Sequence, residues 1–430
     1  MPIPGAPSRR GVLLAGGVAA AGVVAGGALL RHSGGSPADP TAAAAGIQAV
    51  LDRRAEAVLR RDRAALAATV LPGSAGLLAA QQQWLGNLAQ VPLASWQYRL
   101  QSLDAYPLPP ALGSGARQAA QVQLDYRLAG FDSEPVTATY YLTFGQASDD
   151  SSGPWYLDSD DDHPGGDVEL WDLGPVSAVH GRYSLLLGLG GAGPLQPLAA
   201  LADRAVTDVS AVWGDGWGQR TVLLVPDTAA GFGSLLGVDP ADFTAIAAVT
   251  SGEYGAAEAQ RTERITLNPP VWATLNDLGL RVVTTHETTH VATRAITDTW
   301  TPRWLAEGAA NWTGYLGTGR SPQQICPELA ADLAGHAGAD GWPEALPADD
   351  AFDGTVPDLA ANYQQAWFAC RSIVLRHGEP GLVAFYRAVA ATGGRGGQQA
   401  AVDTALRRST GIGLADFTAL WRADLLAALR

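Results

Sequence analysis

Between Val282 and Thr293 the chain reads "VVTTHETTHVAT", which places His286, Glu287 and His290 in the spacing H-E-x-x-H. On an α-helix, residues four apart lie on one face, so two imidazoles at this spacing can aim ring nitrogens at a common point. Glu287 is rotated about 100° from His286 and does not easily join them as a ligand. It is placed instead to hold a water beside that point and take its proton. A catalytic zinc takes three protein ligands and keeps a fourth position for water, so two histidines leave such a site one donor short. The segment "TPRWLAEGAANWTGYLG" supplies that donor as Glu307, 17 positions beyond His290. That is enough chain to end one helix, turn, and bring a second helix alongside.

The pair of motifs "HETTH" and "WLAEGAANW" resembles the gluzincin metallopeptidases, specifically the peptidase MA-like group and more distantly aminopeptidase N-like enzymes. The resemblance spans residues 176–430 and implies one Zn2+ per chain. It implies His286, His290 and Glu307 as the metal ligands, Glu287 as the general base, and a peptide or protein as substrate. Asn311 lies four residues past Glu307, where thermolysin-type relatives carry an aspartate that orients the first histidine; a neutral amide can still accept the imidazole proton through its oxygen. Peptide hydrolysis also needs a hydrogen-bond donor where the oxyanion develops. The segment "ANYQQAWFACRSIVLRHG" resembles the one that provides a tyrosine for this in aminopeptidase N-like enzymes, and Tyr363 is the matching residue. Tyr363, Ala366, Trp367 and Cys370 also form a packing stripe at helical spacing, and His377 near the end of the same helix is a rival donor. His163, His180 and His336 have no partner motif and read as structural.

These residues need elements to carry them. "IQAVLDRRAEAVLRRDRAALAATV" shows a helical apolar stripe through Ile47, Val50, Leu51, Ala55, Val58 and Leu59. Segments of period two follow: Trp96, Tyr98 and Leu100; Val122 to Leu128; Val136 to Phe144. These predict strands with one buried face. Helices followed by an antiparallel sheet resemble nuclear transport factor 2-like domains, which implies an accessory domain without catalysis. The acidic run Asp158 and Asp160 to Asp162 reads as a solvated linker. From about Val176 the texture becomes α/β, and beyond it mostly helical. The stretch from Val271 to Ile296 predicts one or two helices, with Gly279 as the candidate break, and a loop is expected between Arg320 and Leu359. An edge strand that aligns substrate should precede the catalytic helix, and either "AIAAVTSGEYG" or "RITLNPP" fits. The fold class is therefore α+β. A cone-shaped helix-plus-antiparallel-sheet domain over residues 44–165 precedes a mostly helical zincin-like metallopeptidase domain with a small sheet over 176–430.

Composition removes whole reaction classes. All 28 basic residues are arginine, which excludes a Walker-type phosphate loop, a Schiff-base lysine and a Ser-Lys dyad. A net charge of −14 without a basic block argues against nucleic acid. Gly188-x-Gly190-x-x-Gly193 matches a dinucleotide fingerprint in letters. However, Asp208 precedes the second apolar run instead of ending it, and Pro194 follows the last glycine. Residues 1–43 read as targeting sequence. Ser8-Arg9-Arg10-x-x-Leu13 before an uncharged apolar stretch, residues 11–30, resembles a twin-arginine export signal, either cleaved or kept as a membrane anchor. The implied location is secreted or on the outer face of the cytoplasmic membrane, where Cys326 and Cys370 have the option of forming a disulfide. A catalytically inactive, metal-retaining cell-envelope binding protein is the alternative function.

Overall fold

The computed structural model describes residues 40–109, 115–147, 153–251, 262–335 and 343–429. The expected export segment and His336 lie outside them. Among the described residues, no helix is long and apolar enough to cross a membrane. The chain forms two compact units that divide after Ser177.

In the first unit, α1 (Pro40–Arg60), α2 (Arg63–Ala67) and α3 (Ala75–Asn87) precede an antiparallel sheet of β1 (Leu93–Leu103), β2 (Arg117–Leu128), β3 (Val136–Gln146) and β4 (Trp155–Ser159), in the order β1-β2-β3-β4. A short helix, α4 (Leu170–Leu173), closes the unit. The period-two residues meet across the strands: Trp96 faces Tyr126, which faces Val136, and Tyr98 faces Leu124, which faces Ala138. All of these are buried, so one face of the sheet is a continuous apolar layer.

Two expectations fail here. Leu59 is 43% exposed, because the buried face of α1 runs through Ile47, Val50, Leu51 and Val58, and the next residue is turned some 100° away. Arg54 lies on that face instead, its guanidinium held by the Thr69 hydroxyl and the Gln81 amide oxygen. The acidic run is not a solvated linker either. Arg117 pairs with Asp158 at 2.5 Å and Asp162 at 3.1 Å, while Asp160 accepts a hydrogen bond from Gln81.

The second unit contains a five-stranded sheet and most of the helices. Its strands are β5 (Ser177–His180), β6 (Ser184–Gly188), β7 (Thr221–Val225), β8 (Ala248–Ser251) and β9 (Arg264–Leu267), in the order β5-β6-β7-β9-β8. β6, β7 and β9 run parallel, and β8 pairs antiparallel with β9 at the edge. The helices are α5 (Leu195–Trp213), α6 (Ala229–Leu236), α7 (Pro269–Trp272), α8 (Asp277–Thr293), α9 (Arg303–Tyr315), α10 (Pro322–Ile325), α11 (Pro327–Gly335), α12 (Leu359–Ala390), α13 (Gln398–Thr410) and α14 (Leu414–Leu429). One apolar core runs from β6 and α5 through α8 and α9 to α12 and α14.

The break between α7 and α8 is set by Asn276, whose side chain caps α8 by accepting the Gly279 N–H at 2.9 Å. Gly279 itself sits inside the first turn. The stretch expected to be a loop after Arg320 contains α10 and α11. In the glycine run, Gly188 is explained by packing, since a Cβ there would lie 2.7 Å from the Leu195 side chain. Cys326 and Cys370 are buried free thiols, and no disulfide joins them. The Cys370 sulfur faces α9, 4.0 Å from the Leu305 carbonyl oxygen, and burial pushes both thiols well above the usual range.

Candidate metal centre

α8 is buried along most of its length although it is rich in threonine. Four of the buried hydroxyls bond back to a carbonyl one turn earlier: Thr284 to Leu280, Thr288 to Thr284, Thr289 to Thr285 and Thr293 to Thr289, at 2.7–2.9 Å. This satisfies those four hydroxyls within the helix, so α8 can be enclosed between the sheet and α9. α9 in turn approaches closely on two sides. A Cβ on Gly314 would lie 2.9 Å from the Val282 carbonyl oxygen of α8, and one on Gly308 would collide with the Ala366 carbonyl of α12.

That packing brings the first three predicted ligands together. His286 Nε2 and His290 Nε2 are 3.0 Å apart, and Glu307 Oε2 lies 3.2 Å from the first and 3.4 Å from the second. Zinc–ligand bonds of about 2.0–2.1 Å arranged tetrahedrally place donor atoms about 3.3 Å apart. The three donor atoms therefore already describe one face of such a tetrahedron, and they form a group suited to a metal ion. His286 Nδ1 is 3.1 Å from Asn311 Oδ1, and the Asn311 amide nitrogen donates to the Tyr363 carbonyl at 3.4 Å. With its nitrogen so engaged, Asn311 presents oxygen to His286 and accepts the Nδ1 proton. When His286 is neutral, as metal binding requires, its Nε2 lone pair is then left facing the shared point.

Charge follows the same geometry. Burial alone would raise the Glu307 carboxyl, but the attraction of His290 and hydrogen bonds from both imidazoles outweigh it and hold the group well below the usual carboxylate range. Burial opposes protonation of His286, yet Glu307 and Glu287 more than compensate and raise its pKa. Glu287 differs: burial raises its pKa, only partly opposed by the two histidines and Thr250. The Thr250 hydroxyl, on β8, donates to Glu287 Oε2 at 2.6 Å.

Glu287 and the three donor residues line a cleft together with Tyr363 and the edge strand. Tyr363 lies with its ring 6.2 Å from that of His286 and edge-on to Phe352 at 5.3 Å. His377 is exposed on α12, one residue before the kink at Gly378, and does not line this cleft. Of the two edge-strand candidates, "AIAAVTSG" contains β8, whose Ala248, Val249 and Thr250 line the cleft, while "RITL" forms the interior strand β9. Thr250 is the site residue that sequence reasoning did not single out; its segment was named, but no spacing ties a strand hydroxyl to a helix 37 residues later.

No family model matches the chain, and no curated protein matches it. Among solved structures it is similar to a two-domain M1 zinc metallopeptidase, a mutant bound to L-arginine. The identity is 14%, with 77% of this chain and 61% of that chain covered, and a TM-score of 0.36. It is also similar to a mutant M1 zinc metallopeptidase from Deinococcus radiodurans bound to a Tyr-Ser-Ala substrate, at 15% identity, 73% and 61% coverage and TM-score 0.35. A further structure of that mutant shows 16% identity, with the same coverage and TM-score. The chain spans 61% of the length of each of these proteins. Likeness this distant leaves the chemistry to be read from the site itself.

Proposed function

We propose that the chain is a zinc-dependent peptidase acting outside the cytoplasm. His286, His290 and Glu307 would hold the ion, one per chain. When bound, zinc supplies a Lewis acid that polarises a carbonyl and lowers the pKa of water. Glu287 takes the proton from the water whose oxygen attacks the scissile carbonyl carbon, and delivers it to the amine nitrogen as the C–N bond breaks. The Tyr363 hydroxyl donates to the oxyanion. The edge strand β8 offers backbone groups with which an extended peptide can pair. Residues 1–43 act as the export signal or anchor, and the first unit acts as a nuclear transport factor 2-like accessory domain.

The observation that carries this reading is the convergence of three donor atoms at 3.0–3.4 Å beside a raised-pKa carboxylate, all in one cleft with an edge strand. Two substitutions test it together. Glu287→Gln should retain zinc and lose cleavage by about 10²–10⁴-fold, the usual contribution of a general base. Glu307→Ala should instead lose the metal. Undiminished cleavage by Glu287→Gln refutes the mechanism, and a wild-type protein that binds zinc but cleaves no peptide library member is the inactive metal-retaining alternative.

A further inference from the structure

Between α11 and α12 the described chain forms one further regular piece, a 3-10 turn at Asp349–Phe352. Its own sequence holds it weakly. Ala348 precedes it without a side-chain cap, and two backbone bonds lie within it, from Ala351 to Ala348 at 3.1 Å and from Asp353 to Asp350 at 3.2 Å. The buried Arg303, first residue of α9, supplies what the turn lacks. Its N–H donates to Asp349 Oδ1 at 2.8 Å, and its guanidinium donates to the carbonyls of Asp349 at 3.0 Å and Phe352 at 2.6 Å and to Asp353 Oδ1 at 2.7 Å. Asn362 of α12 donates to the Ala351 carbonyl at 2.9 Å, and Gln398 of α13 to Asp349 Oδ2 at 2.8 Å. Just past the turn, a Cβ on Gly354 would collide with the Asp242 carbonyl oxygen and lie 3.4 Å from Ile246, which lines the cleft. The turn therefore has little room to shift. It carries Phe352 fully inside, where the Arg303 guanidinium lies over the ring at 5.6 Å and the Tyr363 ring stands perpendicular to it at 5.3 Å.

We propose that Arg303 is a positioning residue for the reaction: by fixing this turn it seats Phe352 against Tyr363 and so sets the direction of the Tyr363 hydroxyl. The inference rests on the peptidase reading and on the oxyanion role given there to Tyr363. Tyr363 lies near the start of α12, half-buried and lining the cleft. Its backbone is tied down, because its carbonyl accepts from the Asn311 amide at 3.4 Å. A fixed backbone still leaves a side chain its choice of rotamers. The perpendicular Phe352 ring narrows that choice, and Arg303 holds Phe352 both at its carbonyl and over its ring. An oxyanion donor works only within about 0.5 Å of the productive geometry, which requires neighbours that are themselves locked by packing and hydrogen bonds. Arg303 also stands one helical turn before Glu307. The third metal ligand and the group that aims the oxyanion donor are thus referred to one rigid element, α9.

The test is a double-mutant cycle in the full-length zinc-loaded protein, run on the peptide it cleaves fastest from an unbiased library. Tyr363→Phe should lower kcat by about 10²–10³-fold, as loss of one oxyanion donor does. Arg303→Gln should lower kcat by about 10–100-fold through misplacement of that donor, with KM and zinc content unchanged. In the Tyr363→Phe background the same substitution should cost no more than about 2-fold, because the group it positions is gone. Phe352→Leu removes the ring but keeps the Arg303 bonds to the backbone, and it should behave alike if Arg303→Gln does not fold. Fully additive losses, a loss carried by KM or zinc content, or an unaltered kcat in either folded variant overturns the proposal. A binding arm separates it from the peptidase reading, with a phosphonamidate analogue of Ala-Ala as probe, whose anionic oxygen takes the place of the oxyanion. Binding weakened about 10-fold by Arg303→Gln, and not further in Tyr363→Phe, without any peptide turnover keeps the positioning and removes the peptidase. A probe bound equally by the wild type and the variants, or not bound at all, removes the positioning.

Discussion

Glu287 is the residue on which the chemistry turns, and its state depends on a neighbour from a different element. Burial raises its carboxyl pKa, and the Thr250 hydroxyl at 2.6 Å fixes one of its oxygens. Thr250→Val keeps the side-chain shape but removes that donor. A hydrogen bond to a charged group contributes about 1.5–3 kcal/mol, so kcat should fall about 10-fold or more while zinc content stays at the wild-type level. An unchanged kcat would show that Glu287 needs no such support. Asn311 shows how a site residue can be placed by spacing yet have its role decided elsewhere. Its position four residues after Glu307 set it on the right helical face, but its amide orientation depends on the Tyr363 carbonyl from α12.

At the scale of elements, α9 is the keystone, because it carries Glu307 and Asn311 between α8 and α12. Gly308, adjacent to Glu307, has no room for a methyl group: its Cβ would meet the Ala366 carbonyl oxygen, with the Cys370 sulfur at 2.9 Å. Alanine gains about 1 kcal/mol in helix propensity over glycine, whereas forcing an extra carbon into a packed contact costs about 1–3 kcal/mol and at times more. Gly308→Ala should therefore destabilise the protein by a net of about 1–2 kcal/mol in denaturant titration and weaken zinc binding by displacing Glu307. A variant as stable as wild type would mean that α9 and α12 are free to separate. Helical spacing made α1, α8 and α9 legible in the sequence. The same period does not say which flank of a stripe is buried, so Leu59 was placed inside and Arg54 overlooked.

For the whole molecule, proton and metal compete for the same atoms, and the sign of the competition is set by the shifts. His286 has a raised pKa, so in the metal-free protein its contribution to stability is complete below its ordinary 6.5 and is lost as pH rises through the folded value. Glu307 has a depressed pKa, so its contribution is present above its ordinary 4.5 and is lost only as pH falls through the folded value. The ion pair thus supports the metal-free fold best between about pH 4.5 and 6.5. Zinc requires neutral imidazole, and it stabilises by about 4 kcal/mol at a free concentration 1,000 times its Kd. Calorimetry with and without a chelator should show the gain in Tm from zinc widening from pH 5 to pH 8. A gain that is constant over this range would remove His286 from the ligand set.

The sequence alone determined the two histidines on one helical face, the acid between them and the third donor at a distance that a second helix can span. Those are matters of local period and chain length, which need no fold to be read. The strand alternation of the first unit was legible for the same reason. What the tertiary structure decided were the contacts between segments far apart in the chain: β8 rather than β9 at the sheet edge, Thr250 on Glu287, Phe243 and Ile246 beside the cleft, and free thiols where a bridge was an option. Such contacts follow from how closely helices and strands pack, a property of pairs of elements that no spacing within one element encodes.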